Sequence, residues 1–153
     1  MTTTPARHHR GAVCALWLVT LAACADADGP EAEVQGAPLS LQVLLPEGAS
    51  VALQEVATDL ASLAAQVSGA GVDATPHRVD ISVVTAVSDL GEQAYRLRRD
   101  GLRLTLEASS ELGAMYGLYH VAGDLGVRFI HPEETFVPVN PEVTLPEYPG
   151  EVE

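Results

Sequence analysis

The sequence predicts an α+β domain of two layers, a mostly antiparallel sheet with two helices on one face, in the order β-α-β-β-β-α-β. Three observations lead there. Asp100-Gly101 sits between two alternating runs, the strongest short-range signal for a hairpin. One stretch before that hairpin and one after it repeat apolar residues at helical spacing. The 153 residues, 47% of them hydrophobic, are enough for one domain with a single modest core.

The elements follow in order. Leu39, Leu41, Val43 and Leu45 alternate against Ser40 and Gln42, with Leu44 as an exception, which reads as a strand. Pro46-Glu47-Gly48 turns the chain, and Ser50 is placed to cap a helix over residues 51–68. Leu53, Val56, Ala57, Leu60, Leu63, Ala64 and Val67 fit one face of that helix, and Gly69 stops it. Residues 69–78 are a loop rich in turn formers. Val79, Ile81 and Val83 then alternate with Asp80 and Ser82 as a second strand, ending before Ser88-Asp89-Leu90-Gly91.

With Asp100 and Gly101 as the hairpin loop, Arg99 faces Leu102, Arg98 faces Arg103, Leu97 faces Leu104 and Tyr95 faces Leu106. The large apolar side chains then share one face. Ser109 or Ser110 is placed to cap the next helix, with Glu111 in a first turn where the helix dipole favours an anion. Leu112, Met115, Tyr116, Tyr119 and Ala122 form its apolar stripe, Tyr116 and Tyr119 filling the core. Gly113 and Gly117, four apart as in a membrane dimer motif, here let the helix sit close on the sheet. Gly126 closes the helix, and Val127, Phe129 and His131 alternate into a last strand of the sheet.

The flanks are of a different kind. Arg7, His8, His9 and Arg10 precede a short apolar run, residues 11–23, in the manner of an export signal too short to span a bilayer. Leu21-Ala22-Ala23-Cys24 resembles a bacterial lipobox, which implies removal of residues 1–23 and lipidation of Cys24. Ordinary cleavage near Ala23-Cys24-Ala25 is the alternative, leaving the protein secreted or periplasmic. Under the lipobox reading Cys14 leaves with the signal, so no disulfide framework or thiolate metal site is expected. Residues 24–38 are a flexible acidic tether. Ala25, not aspartate, follows Cys24, which favours the outer membrane. The folded domain is expected over residues 39–139, with residues 140–153 a Pro-rich acidic tail or the start of a linker.

Twenty-one acids against eight arginines and no lysine argue against nucleic-acid binding, which needs a basic surface. Loss of the signal leaves a formal charge of about −15. Chemistry-bearing clusters are few. Glu133-Glu134 is an adjacent carboxylate pair, but a glycosidase needs its two carboxyls about 5 to 9.5 Å apart across the scissile bond. His120 and Asp124, with His131 as a third ligand, are the candidates for a metal; His120 at the edge of the stripe and Asp124 in solvent is the simpler expectation. No cofactor is expected. Arg96, Arg98 and Arg103 share the outer face of the hairpin, where opposed like charges cost roughly 0.2–1 kcal/mol. Glu107 and Asp80 are placed to offset them; otherwise the three arginines are a docking patch for an acidic partner or a uronate-bearing glycan, since guanidinium forks suit carboxylates.

Tyr95-Arg96-Leu97, the Asp100-Gly101 turn, Glu107-Ala108-Ser109-Ser110, residues 113–119 (GAMYGLY) and Leu125-Gly126-Val127-Arg128-Phe129 occur in that order. Together they resemble the small α/β domain that precedes the catalytic barrel in secreted alpha-glucuronidases and beta-hexosaminidases. The resemblance is tight over residues 94–138 and looser over 39–84. It implies a non-catalytic accessory role in carbohydrate breakdown, with the barrel or a polysaccharide as partner and no turnover by this chain alone. In those enzymes the chain runs into the barrel near residue 140, so a fragment of a glycosidase and a complete small lipoprotein both stay open. The alternative is a free-standing surface module that binds a glycan or a protein. A weaker third option is a small hydrolase using Glu133 and His131.

Overall fold

The computed structural model describes residues 38–69, 76–131 and 134–152. Cys24, the leader and the tether lie outside the described residues, as do Glu133 and most of the loop at 69–78. The elements are β1 (Leu39–Leu44), α1 (Val51–Ser68), β2 (His77–Val84), β3 (Tyr95–Asp100), β4 (Arg103–Ala108), α2 (Glu111–Asp124), β5 (Arg128–His131), β6 (Glu134–Phe136) and β7 (Pro149–Val152). The protein is α+β, and the order through β5 is the one expected. The main sheet runs β1-β2-β4-β3-β7. β1, β2 and β4 are parallel, while β3 is antiparallel to both β4 and β7. α1 crosses from β1 to its parallel neighbour β2, the connection that parallel strands require. Among the described residues no helix is long and apolar enough to cross a membrane.

The caps form where local chemistry puts them. The Ser50 side chain accepts from the Leu53 amide, and Gly69 ends α1 in the left-handed conformation at φ 60°. Ser110 caps α2 by accepting from the Gly113 amide, and Gly126 follows the helix at φ 90°. The Glu111 carboxylate accepts from the Ser50 amide at 2.9 Å, tying the two helix N-termini together. Hydrogen bonding from Ser50, its side chain first and its amide second, holds the Glu111 carboxyl below the usual glutamate range.

Three expectations are corrected. In the hairpin, Asp100 pairs with Arg103 and Leu97 with Leu106, so Gly101 and Leu102 are the central residues. Gly101 takes the first central position at φ 56°, which only glycine occupies without strain. A shift by two residues keeps every side chain on its expected face, because the strand period is two. Arg98 therefore faces Thr105, not Arg103. Secondly, β5 does not join the main sheet but pairs with β6 in a separate two-stranded sheet. Both sides of β4 are already taken by β2 and β3, and the free edge of β3 is taken by β7.

Thirdly, α2 is rotated from the expected stripe. Its buried residues are Gly113, Ala114, Gly117, Leu118, Val121 and Ala122. Tyr116 and Tyr119 point outward and do not fill the core. The two glycines are what permit this approach. A Cβ at Gly113 would lie 2.7 Å from the Ala94 carbonyl oxygen, and one at Gly117 would overlap the Leu106 side chain.

One core cluster joins both helices to the inner face of the sheet, from Leu41, Val79, Ile81 and Leu104 to Leu53, Leu60 and Leu118. Its last members, Leu145 and Tyr148, come from the Pro-rich tail. The Arg99 amide donates to the Tyr148 carbonyl at 3.2 Å, and the Arg99 guanidinium donates to the Leu145 carbonyl. These contacts lead the chain into β7 along the edge of β3.

Candidate functional site

The three hairpin arginines do share the outer, helix-free face of the sheet, but they are not equivalent. Arg96 is committed: Nη1 donates to Glu107 at 3.0 Å and Nη2 to Asp89 at 3.1 Å, and its side chain is only 19% exposed. The Arg96 hydrogen bond holds the Asp89 carboxyl below the ordinary aspartate range, and Asp89, then Glu107, raise the arginine in turn. Asp80 offsets a different cation, accepting from Arg78 at 2.8 Å. Arg103 stands in register between Asp80 and Asp100. Arg98 is exposed and lies against Gly150, where a Cβ would come within 3.0 Å of its Nε. On this open sheet face Arg78 and Arg96 are thus paired with acids, whereas Arg98 stands opposite Thr105.

The helix layer holds a second, better-built constellation. Tyr95 on β3 faces inward, and its hydroxyl is 2.8 Å from His120 Nδ1 on α2. His120 Nε2 is 3.5 Å from Asp124 Oδ2 one turn later, and the Tyr148 hydroxyl donates to that same oxygen at 2.7 Å. The His120 ring is held edge-on to Tyr95 and to Tyr148, with centroids 5.8 and 6.2 Å away. Burial, followed by the Asp124 hydrogen bond and charge, pushes the Tyr148 phenol far above its ordinary value. Beside this network lies a shallow, open hollow of about 680 Å³, lined by Gln93, Ala94, Tyr95, Tyr116, Tyr119 and His120. A narrower groove of about 360 Å³ runs between α1, α2 and the β5–β6 sheet, with Val56, Leu63, Tyr119 and Phe129 among its walls.

Of the residues singled out as ligands, the structure brings together His120 and Asp124. The His131 side chain lies outside the description. Among the described residues no group of three His, Cys, Asp or Glu is placed to hold a metal. Glu134 opens β6 and is exposed, while its neighbour Glu133 lies outside the described residues. Sequence reasoning missed Tyr95 and Tyr148 as members of the network. Nothing local marks them, since they come from β3 and from the tail and meet His120 only in the fold.

No protein-family model and no curated protein matches the chain. Among solved structures it is similar to the X-ray structure of a chitobiase from Flavobacterium johnsoniae, with a TM-score of 0.38 and 14% identity. That similarity covers 67% of this chain, which spans 16% of the chitobiase chain.

Proposed function

We propose that this domain is a non-catalytic accessory part of a carbohydrate-degrading glycoside hydrolase, seating a catalytic barrel against its helix layer. One observation carries the reading: α2 has two apolar faces, whereas a two-layer domain needs only one. The small face meets the sheet. The other, Leu112, Tyr116 and Tyr119, is exposed and is continued by Phe129, which is 50% exposed and stands edge-on to Tyr119 with ring centroids 5.3 Å apart. Contiguous apolar surface of this kind marks a contact site. The motifs over residues 94–138, which resemble the domain preceding a barrel, supply the identity of the partner. In this reading Cys24 and the acidic tether fasten the assembly to the cell envelope, and Arg98 and Arg103 face solvent on the far side of the sheet.

The test is the intact mass of the protein captured from its own cells with an antibody to the folded domain. A species much heavier than 16.1 kDa is expected. A species matching residues 24–153 with three acyl chains would overturn the barrel and favour a free-standing lipoprotein module.

A further inference from the structure

We infer that the hollow bounded by Tyr95, Tyr116, Tyr119 and His120 is a binding subsite for a neutral pyranose ring. A sugar ring presents apolar C–H faces and a polar rim, and the hollow offers the matching parts. Tyr116 and Tyr119, three apart on α2, are 43 and 45% exposed and supply adjacent aromatic surface. Their hydroxyls have no hydrogen-bond partner among the described residues, so both are available to a ligand's rim. Gln93 adds an exposed amide at the mouth.

The wall behind them is already ordered. His120 has Tyr95 at one ring nitrogen and Asp124 at the other, and two aromatic edges fix its plane. A site built on such fixed groups loses little freedom on binding. Aromatic walls with a few convergent polar groups are the usual make-up of a small-molecule site.

Charge decides the class of sugar. No lysine or arginine lines the hollow, Asp124 stands behind it, and the chain carries a net charge of −13. A uronate or a phosphorylated sugar would be repelled. Arg98 and Arg103, the groups suited to a carboxylate, lie on the opposite face of the sheet. The subsite shares Tyr116 and Tyr119 with the proposed barrel contact, so a sugar ring and a barrel would compete for these two side chains.

The test titrates the full chain with cellotetraose or chitotetraose, with a tetrauronate and phenol as comparisons, following the tyrosine ring resonances. Either neutral oligosaccharide should move the Tyr116 and Tyr119 signals at about millimolar concentration. Tyr116→Ala should weaken binding by about tenfold or more with the melting temperature unchanged. Arg98→Ser should leave binding as it was. Tighter binding of the tetrauronate, equal shifts with phenol, no shift with either neutral sugar, or binding indifferent to Tyr116→Ala would each overturn the subsite. None of these results bears on the cellular mass that tests the barrel, so the two readings fail separately.

Discussion

Gly117 and Gly123 lie on the same helix and should respond in opposite ways to the same substitution. At Gly117 a methyl group meets the Leu106 side chain in the closest part of the helix–sheet contact. Gly117→Ala should therefore cost about 1–3 kcal/mol, the usual penalty of overpacking. At Gly123 a Cβ meets nothing within 4 Å and the backbone is helical. Gly123→Ala should stabilise by roughly 0.5 kcal/mol, through helix propensity and a less free unfolded chain. Denaturant midpoints of the two variants check both signs. Titration also acts at single residues. Asp89 and Glu111 have depressed carboxyls, so their contribution is present above the ordinary values of 3.8 and 4.5 and is lost as the pH falls through the folded ones. Tyr148 is raised, so its contribution is present below 10.0 and is lost as the pH climbs above that value. Melting temperature should thus fall at both extremes, and Tyr148→Phe should flatten the alkaline limb alone. An alkaline limb unchanged in that variant would mean that another group governs it. The caps belong to this scale too. Ser50, Gly69, Ser110 and Gly126 were legible in the sequence because a cap is a contact with a residue three or four places away. The partnership of Tyr95, His120 and Tyr148 was not, because it spans three segments that only the fold brings together.

At the scale of elements, what could be read was the kind of element and the face it turns, and what could not was its rotation or its partner. The hairpin register slipped by two because the sequence marks Asp100-Gly101 as a turn without saying which residue takes the first central place. The glycine takes it, since that place needs positive φ. α2 misled for a different reason. Periodicity finds the stripe with the largest apolar residues, whereas the face that packs sets Gly113, Ala114 and Gly117 at the close approach to the sheet, with Leu118 and Val121 buried beside them. The tail shows no periodicity at all. Leu145 and Tyr148 are isolated apolar residues among prolines and acids, yet they enter the core and lead β7 onto β3. Tyr148→Ala removes a buried aromatic ring and the hydroxyl that Asp124 accepts from, and should cost about 3–5 kcal/mol. It should also speed amide hydrogen exchange along β3 more than along β1, since only β3 has β7 for a neighbour. Equal exchange at both strands would show the tail to be a passive appendage.

The whole molecule separates its chemistry by layer. Glu55, Asp59, Glu111 and Asp124 are the charged residues of the two helices, which carry no lysine or arginine. Arg78, Arg96, Arg98 and Arg103 lie on the outer face of the sheet, Arg96 and Arg103 opposite acids and Arg78 beside Asp80 on its own strand. Arg128, which donates to the Gly123 carbonyl, stands beside this layer, but the four helix acids outnumber it. Two copies meeting through the apolar surface around Tyr119 and Phe129 therefore bring like net charges together. In the absence of a partner this surface should still drive self-association, because burying apolar area yields about 25 cal/mol per Å². Salt should strengthen that association, because the Debye length falls from about 10 Å at 0.1 M to about 3 Å at 1 M and screens the acidic repulsion. Sedimentation velocity of the full chain across that range should show the larger species gaining with salt. Tyr119→Ser combined with Phe129→Ser should leave a monomer at every ionic strength. Both side chains are about half exposed, so the double variant is expected to keep its core and its circular dichroism. Association that weakens with salt would place the contact on the charged sheet face instead. A monomer at all ionic strengths in the unaltered chain would mean that the exposed aromatics are too few to bind another protein, and the barrel reading would lose its carrying observation.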